Sequence, residues 1–437
     1  MKRLLVLLAM LTAATAFAQT LDQRIDRELP SLIETYKGLH AAPELSMQEA
    51  KTSALLASRL RALGYEVTYP VGKYDKPNDT CYGVVAVMKN GKGPAVLVRT
   101  DMDALPITEL TGLPYASTVR AKNAGGDEVG VMHACGHDIH ITTMLGTAKM
   151  LADLKSQWHG TVILVGQPAE EIVAGAKGML ADNLYQRFPK PDYIVALHDS
   201  PLIAAGKVGY TPGYFLAASD SINVTIRGVG GHGASPQSTK DPIVAAAEFI
   251  TQLQTIASRE RSPLDPIVVT VGSIHGGTKR NIIPDEVKLQ LTLRTFDPQA
   301  RARALESIAR IAKGVALSAG IPEERAPIIE EVPEERSAST YNDPALTQRL
   351  VASLNKAIGA ENVVEMKPLT VSEDVNRFGL DRQIPLVMLN LGAVDGAKLA
   401  SGQTIPGLHS SGFAPLPEPT LRTGIKSMTS MVLDLLP

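Results

Sequence analysis

The sequence predicts an α/β protein: a mixed, largely parallel sheet flanked by helices, with a smaller α+β domain of split-βαβ order inserted into it. Two observations predict this. Between about residues 80 and 200, short apolar runs alternate with helix-like stretches, as in strands joined by helical crossovers. From about 207 to 325 the order becomes strand, helix, strand, strand, helix, strand, which folds as a compact sheet with both helices on one face.

The elements follow in order. Residues 83–88 and 95–99 are apolar runs of strand type; 137–152 is helix-like, 161–167 a strand, 175–183 a helix and 193–198 a strand. In the second region Ile222, Val224 and Ile226 alternate on one face of a strand. Ile243, Ala246, Ala247, Ile250 and Leu253 keep helical spacing. Residues 267–274 and 287–293 are strands, Leu305 to Val315 marks a second helix, and 327–332 is a closing strand. The chain then returns to the first domain through a helix near 344–357, a strand at 386–391 and a last helix from about 419. The predicted domains are 19–206 with 326–437, and 207–325 inserted between them.

The first eighteen residues, MKRLLVLLAMLTAATAFA, join a basic start to a short apolar stretch and an A-x-A site ending at Ala18. That is the pattern of a secretory leader, so the expected location is periplasmic or extracellular. The roughly 420 residues that follow exceed what one core usually supports, hence two domains. A net charge of −2 with both signs interspersed gives no nucleic-acid or membrane footprint. The two cysteines, Cys81 and Cys135, leave one disulfide as the bland reading.

The competing reading of Cys135 comes from its neighbours. It stands in HACGHD, two residues before His137, and Glu170-Glu171 closes the apolar run TVILVGQPA. His198 and His409 follow at strand or loop ends, and RTDMDALP supplies Asp101 and Asp103. A thiolate, imidazoles and paired carboxylates suit a divalent-metal site with one carboxylate left for proton transfer. Cys135 would bridge two ions; His137 and His198 would complete one shell, Glu171 and His409 the other. Asp101 and Asp103 would orient ligands from behind, and Glu170 would take a proton from water. A Cys135–His137 nucleophile pair is the rival, but it leaves Glu170, Glu171 and His409 without a role. His133 and His140 are read as structural.

The motifs RTDMDALPITE, MHACGHDIHITTMLGTAKML, QPAEE, GGHGASPQSTKDPIVAA, KRNIIPDEV, SEDV and LHSSGF resemble those of the aminoacylase/hippurate-hydrolase family of dinuclear metallo-amidohydrolases, which includes indole-acetyl-amino-acid hydrolases. The likeness runs in order from about residue 39 to the C-terminus. It implies two divalent ions per subunit (zinc, manganese, cobalt or nickel) on Cys135, His137, Glu171, His198 and His409, with Glu170 as general base. It further implies that His232 serves catalysis and Asn281 holds substrate, and that the chain forms a homodimer through the inserted domain. The expected substrate is an N-acyl amino acid or similar small amide with a free carboxylate. A metallocarboxypeptidase or dipeptidase, and an exported metal- or ligand-binding protein without catalysis, are the alternatives.

Overall fold

The computed structural model describes residues 19–437 apart from 77 and 263; the leader and its cleavage site lie outside the described residues. An eight-stranded sheet runs in the order Glu66–Lys73, Thr80–Asn90, Gly160–Gln167, Ala95–Asp101, Tyr193–Ala204, Leu386–Val394, Val208–Tyr210, Val363–Glu365. The central pairings, from Gly160–Gln167 across to Leu386–Val394, are parallel, and antiparallel pairings flank them. The mixed, largely parallel sheet predicted from the alternation is therefore the one observed.

These strands read as continuous apolar runs because both faces are covered. Val84, Ala86, Val96, Val98, Val162 and Leu164 face one layer, which includes the helices Leu21–His40, His137–Asp153 and Pro417–Leu435. Val85, Val87, Leu97, Ile163 and Val165 face the other, with Met179 and Phe378 packed on them. Each such side chain taken fully out of water contributes about 1.5–3 kcal/mol.

The smaller domain has the four-stranded antiparallel sheet Val268–Gly276, Glu286–Thr295, Ala218–Arg227, Ile328–Glu331. The helices Pro242–Arg259 and Pro298–Ser318 bury Phe249, Leu253, Ile308, Ile311 and Val315 against Ile222, Val224, Leu289 and Leu291. Both helices open on an Asp-Pro step, as does Pro344–Ile358. Asp241, Asp297 and Asp343 accept a first-turn N–H, while proline occupies a position whose N–H would have no helical partner.

Sheet membership moves both predicted domain boundaries. Val208–Tyr210 and Gly213–Leu216 pair inside the larger domain, so the small domain starts at Ala218 and not at 207. Ile328–Glu331 pairs with Ala218–Arg227, so the small domain extends past 325. The chain adds two short strands to the larger domain before crossing, and the closing strand needs the edge offered by the first. The helices Leu21–His40 and Ala50–Ala62 and the strand Glu66–Lys73 were not anticipated. No described helix is long and apolar enough to cross a membrane.

Candidate metal centre

Strand ends and one tight turn assemble the site. Cys135 is buried immediately before the helix His137–Asp153, whose first residue is His137. Between them Gly136 adopts φ 73°, and a Cβ there would stand 2.2 Å from the Asp199 carboxylate, so only glycine lets the turn close. The C-terminal loop reaches the same turn. His409, at φ 61°, donates its backbone N–H to the Ala134 carbonyl at 2.8 Å. That bond brings His409 Nε2 to 3.4 Å from Glu171 Oε2.

Asp103 holds the glutamate pair. Its oxygens accept the N–H groups of Glu170 (3.1 Å) and Glu171 (3.0 Å), and also the Ser46 hydroxyl at 2.6 Å. Glu49 accepts the N–H of Ala169, itself at φ 49°, at 2.7 Å. A non-glycine residue in the left-handed region is held there by such contacts.

Two histidines have their tautomers set by backbone groups. His198 Nδ1–H donates to the Asp199 carbonyl at 2.7 Å, which leaves the Nε2 lone pair 3.5 Å from Cys135 Sγ. His140 accepts the Asp199 N–H at Nε2 (2.8 Å) and donates from Nδ1 to Asp101 (2.6 Å). Both its nitrogens are thus used within the protein, the structural role expected for it.

Cys135, Glu171 and His409 offer donor atoms within 4.8 Å of one another, and so do Asp101, His137, His140 and His198. The Cys135–His198 approach joins the two groups, as does the 3.9 Å between His137 Nε2 and Glu171 Oε1. The centre is buried except at His409, whose side chain is 55% exposed and marks the route to solvent.

The donor set fits metal on two counts. Among the described residues, both ring nitrogens of His137 and Oε1 of Glu171 are buried without a hydrogen-bond partner, a costly state unless a ligand supplies one. The charge balance points the same way. Burial, then Glu171, Glu170 and Asp199, push the Cys135 thiol far up. Burial alone would lower the His137 pKa, yet Asp101, Asp103 and Glu171 raise it to about 10. Carboxylates packed this closely call for cations.

Glu170 faces a group that sequence reasoning did not assign. Its carboxylate lies within 4.8 Å of those of Glu373 and Asp374, and burial followed by Glu373 and Glu171 raises its pKa well above the usual range. Arg99, fully buried, donates to Asp101 and Glu373 at 2.7 Å each and to Gln167 at 2.9 Å. Two signals were present: an arginine inside the apolar strand run Ala95–Asp101, and the acidic pair in SEDV.

His232 and Asn281 sit elsewhere. Both are exposed at a two-stranded antiparallel ribbon of the small domain, where Gly231–His232 pairs with Ile282–Ile283 and the Gly233 N–H donates to the Asn281 carbonyl at 2.9 Å. The Ala234 N–H donates to His232 Nδ1 at 3.0 Å, so the ring proton sits on Nε2. Cys81 and Cys135 are both free thiols, which removes the disulfide reading.

The comparisons agree with this geometry. The model of peptidase family M20/M25/M40 matches residues 97–434. An N-acetyl-L-cysteine deacetylase of Bacillus subtilis is 36% identical over 348 residues, covering 78% of this chain and 76% of that protein. The hippurate hydrolase of Campylobacter jejuni is 39% identical over 279 residues, 64% of this chain and 68% of its own. Among solved structures, a dinuclear metal-binding M20 peptidase of Bacillus subtilis superposes with a TM-score of 0.75 at 28% identity, covering 94% of this chain and 99% of that one.

Proposed function

The chain belongs to peptidase family M20/M25/M40, and from that membership we propose that it is a metal-dependent amidohydrolase cleaving the amide bond of N-acyl amino acids. One observation carries the reading: donors from four separated segments converge with buried ligand atoms left unpartnered. Cys135, His137, Glu171, His198 and His409 would hold two divalent ions, of zinc, manganese, cobalt or nickel type. When bound, such ions polarise a carbonyl and lower the pKa of water.

The remaining steps belong to the protein. Glu170, beside Glu171 but turned toward Glu373 and Asp374, accepts a proton from the attacking water and returns it to the departing amine. Asp103 holds the Glu170–Glu171 turn and lies 3.5 Å from His137 Nδ1, while Asp101 holds His140 and lies 3.7 Å from His137 Nε2, so both steer that ligand. In a dimer built through the small domain, His232 would present Nε2–H to the oxyanion developing in the partner copy's site, and Asn281 would grip the substrate carboxylate.

Exposed Ile243, Val244 and Ile274, near an outer strand of the small sheet, support the homodimer expected from the resemblance. Export to a periplasm or medium remains part of the proposal on the strength of the leader sequence. The test is turnover of N-acetyl and N-benzoyl amino acids beside dipeptides, with metal removed and restored. Acyl-amino acids should be hydrolysed faster, and only with metal. Faster cleavage of dipeptides would make it a peptidase, and no turnover of either class would leave a binding protein.

A further inference from the structure

The segment 371–374 lies between the two domain crossings and the Glu170 carboxylate. The chain passes from one domain to the other beside Ser219 and Ser337, which exchange backbone hydrogen bonds at 2.9 and 3.0 Å. The Ala217 N–H donates to the Val371 carbonyl at 3.0 Å, and the Ser337 hydroxyl to the Glu373 carbonyl at 2.5 Å. Arg294, on the small-domain sheet, donates from Nη1 to the Ser372 hydroxyl at 2.8 Å.

The other side of the segment meets Arg99. Glu373 Oε1 accepts from Arg99 Nη2 at 2.7 Å, and Asp374 Oδ1 accepts from Gln167 at 2.5 Å and from Arg99 at 3.4 Å. With Asp101 and, at 3.4 Å, Glu373 Oε2 on Nη1 and Gln167 on Nε, all five N–H groups of the guanidinium are used. A buried guanidinium with a vacant edge, this close to a carboxylate, would form a paired fork with it. Glu170 is the carboxylate within 4.8 Å of those of both Glu373 and Asp374, and its charge acts on Arg99 after theirs and that of Asp101.

We infer that Glu373 and Asp374 are positioning residues: by occupying Arg99 they keep Glu170 off the guanidinium, and their hydrogen-bonded segment ties that occupancy to the setting of the small domain. The inference rests on the reading of Glu170 as proton acceptor. Glu373→Gln keeps the shape but removes the charge and puts an NH2 where Oε2 accepts from Arg99 Nη1 at 3.4 Å, which releases that edge of the guanidinium.

In the metal-loaded enzyme, Glu373→Gln should lower kcat by ~10²-fold, the scale of a small misplacement of a reacting group, with KM and metal content unchanged. Its crystal structure should show Glu170 paired with Arg99. In a Glu170→Gln background the same substitution should have no further effect, because the two act as a unit. Ser372→Ala and Arg294→Met, at half-buried positions that leave the core intact, should each lower kcat by about fivefold, and Arg294→Lys should recover part of it. A multiplicative loss in the double variant, or Glu170 unmoved in the Glu373→Gln structure, would overturn the positioning role. Wild-type kcat in both Ser372→Ala and Arg294→Met would overturn the link to the small domain. Undiminished turnover in Glu170→Gln alone would instead remove the reading of Glu170 beneath it.

Discussion

The two regions assigned to the chemistry are built in opposite ways. Around Cys135 and Glu171 the side chains are buried and the turns that carry them are cross-tied by Asp103, Asp199 and Arg99. The His232–Asn281 ribbon is exposed, two residues of strand on each side, and its hydrogen bonds stay within the ribbon and the turn after His232. Groups that hold charge in place need a shell that cannot relax. Groups that meet a substrate in transit need reach, and the small domain supplies it. Damage to a ligand in the first region should therefore be severe and metal-linked, and damage in the second purely kinetic.

The largest effect belongs to Cys135→Ala. About two metals per subunit are expected in the loaded wild type. The variant should lose metal by elemental analysis and activity with it; full metal content at full rate would break the contrast at its root. Next comes Glu170→Gln, which should cost ~10²–10⁴-fold in turnover, the range for a general base, with metal retained. Loss of metal along with rate would make Glu170 a ligand.

His232→Ala should lower kcat by ~10²–10³-fold, as for other oxyanion donors, and leave metal content alone. Asn281→Ala should chiefly raise KM, because a grip on the carboxylate acts equally in ground and transition states. Near-normal kinetics in both would reduce the ribbon to a structural element. Metal loss in either would erase the distinction between the regions.

The smallest effect is a pH dependence inside the rigid region. His40 bridges Asp138 (2.7 Å) and Glu109 (3.0 Å) in the core; burial alone would lower its pKa, but the two carboxylates raise it to about 9. A raised pKa stabilises the fold fully below the unfolded value near 6.5, and the contribution is lost as pH climbs through about 9. Thermal unfolding of wild type should thus show a fall in Tm over that window. His40→Asn should flatten it, and an unchanged slope would free His40 of the role.

Much of this was legible in the sequence because the ligands stand in short, chemically odd words: HACGHD, AEE, a lone histidine after an apolar strand. The alternating strands were legible for the same reason, since both faces of the large sheet are dry. Arg99, Glu373 and Asp374 were not, because a charge in an apolar run acquires meaning only from partners some 270 positions away. The N-terminal helix Leu21–His40 was also missed. Pro30 stands inside it and reads as a break, while the Thr20–Gln23 capping box that starts it lies close to the leader. Domain limits shifted by two short strands at the first boundary and one at the second, since strand pairing and not composition decides to which sheet a short segment belongs.

The single hydrogen bond from His409 to Ala134 has a consequence for biosynthesis. A ribosome that has made everything through residue 400 has produced four of the five donors but not the last, nor the helix Pro417–Leu435 that packs against His137–Asp153. Until residue 409 has been made and its N–H meets the Ala134 carbonyl, the group of Cys135 and Glu171 lacks its third donor, so the centre is completed only late in synthesis, long after its first residues are in place.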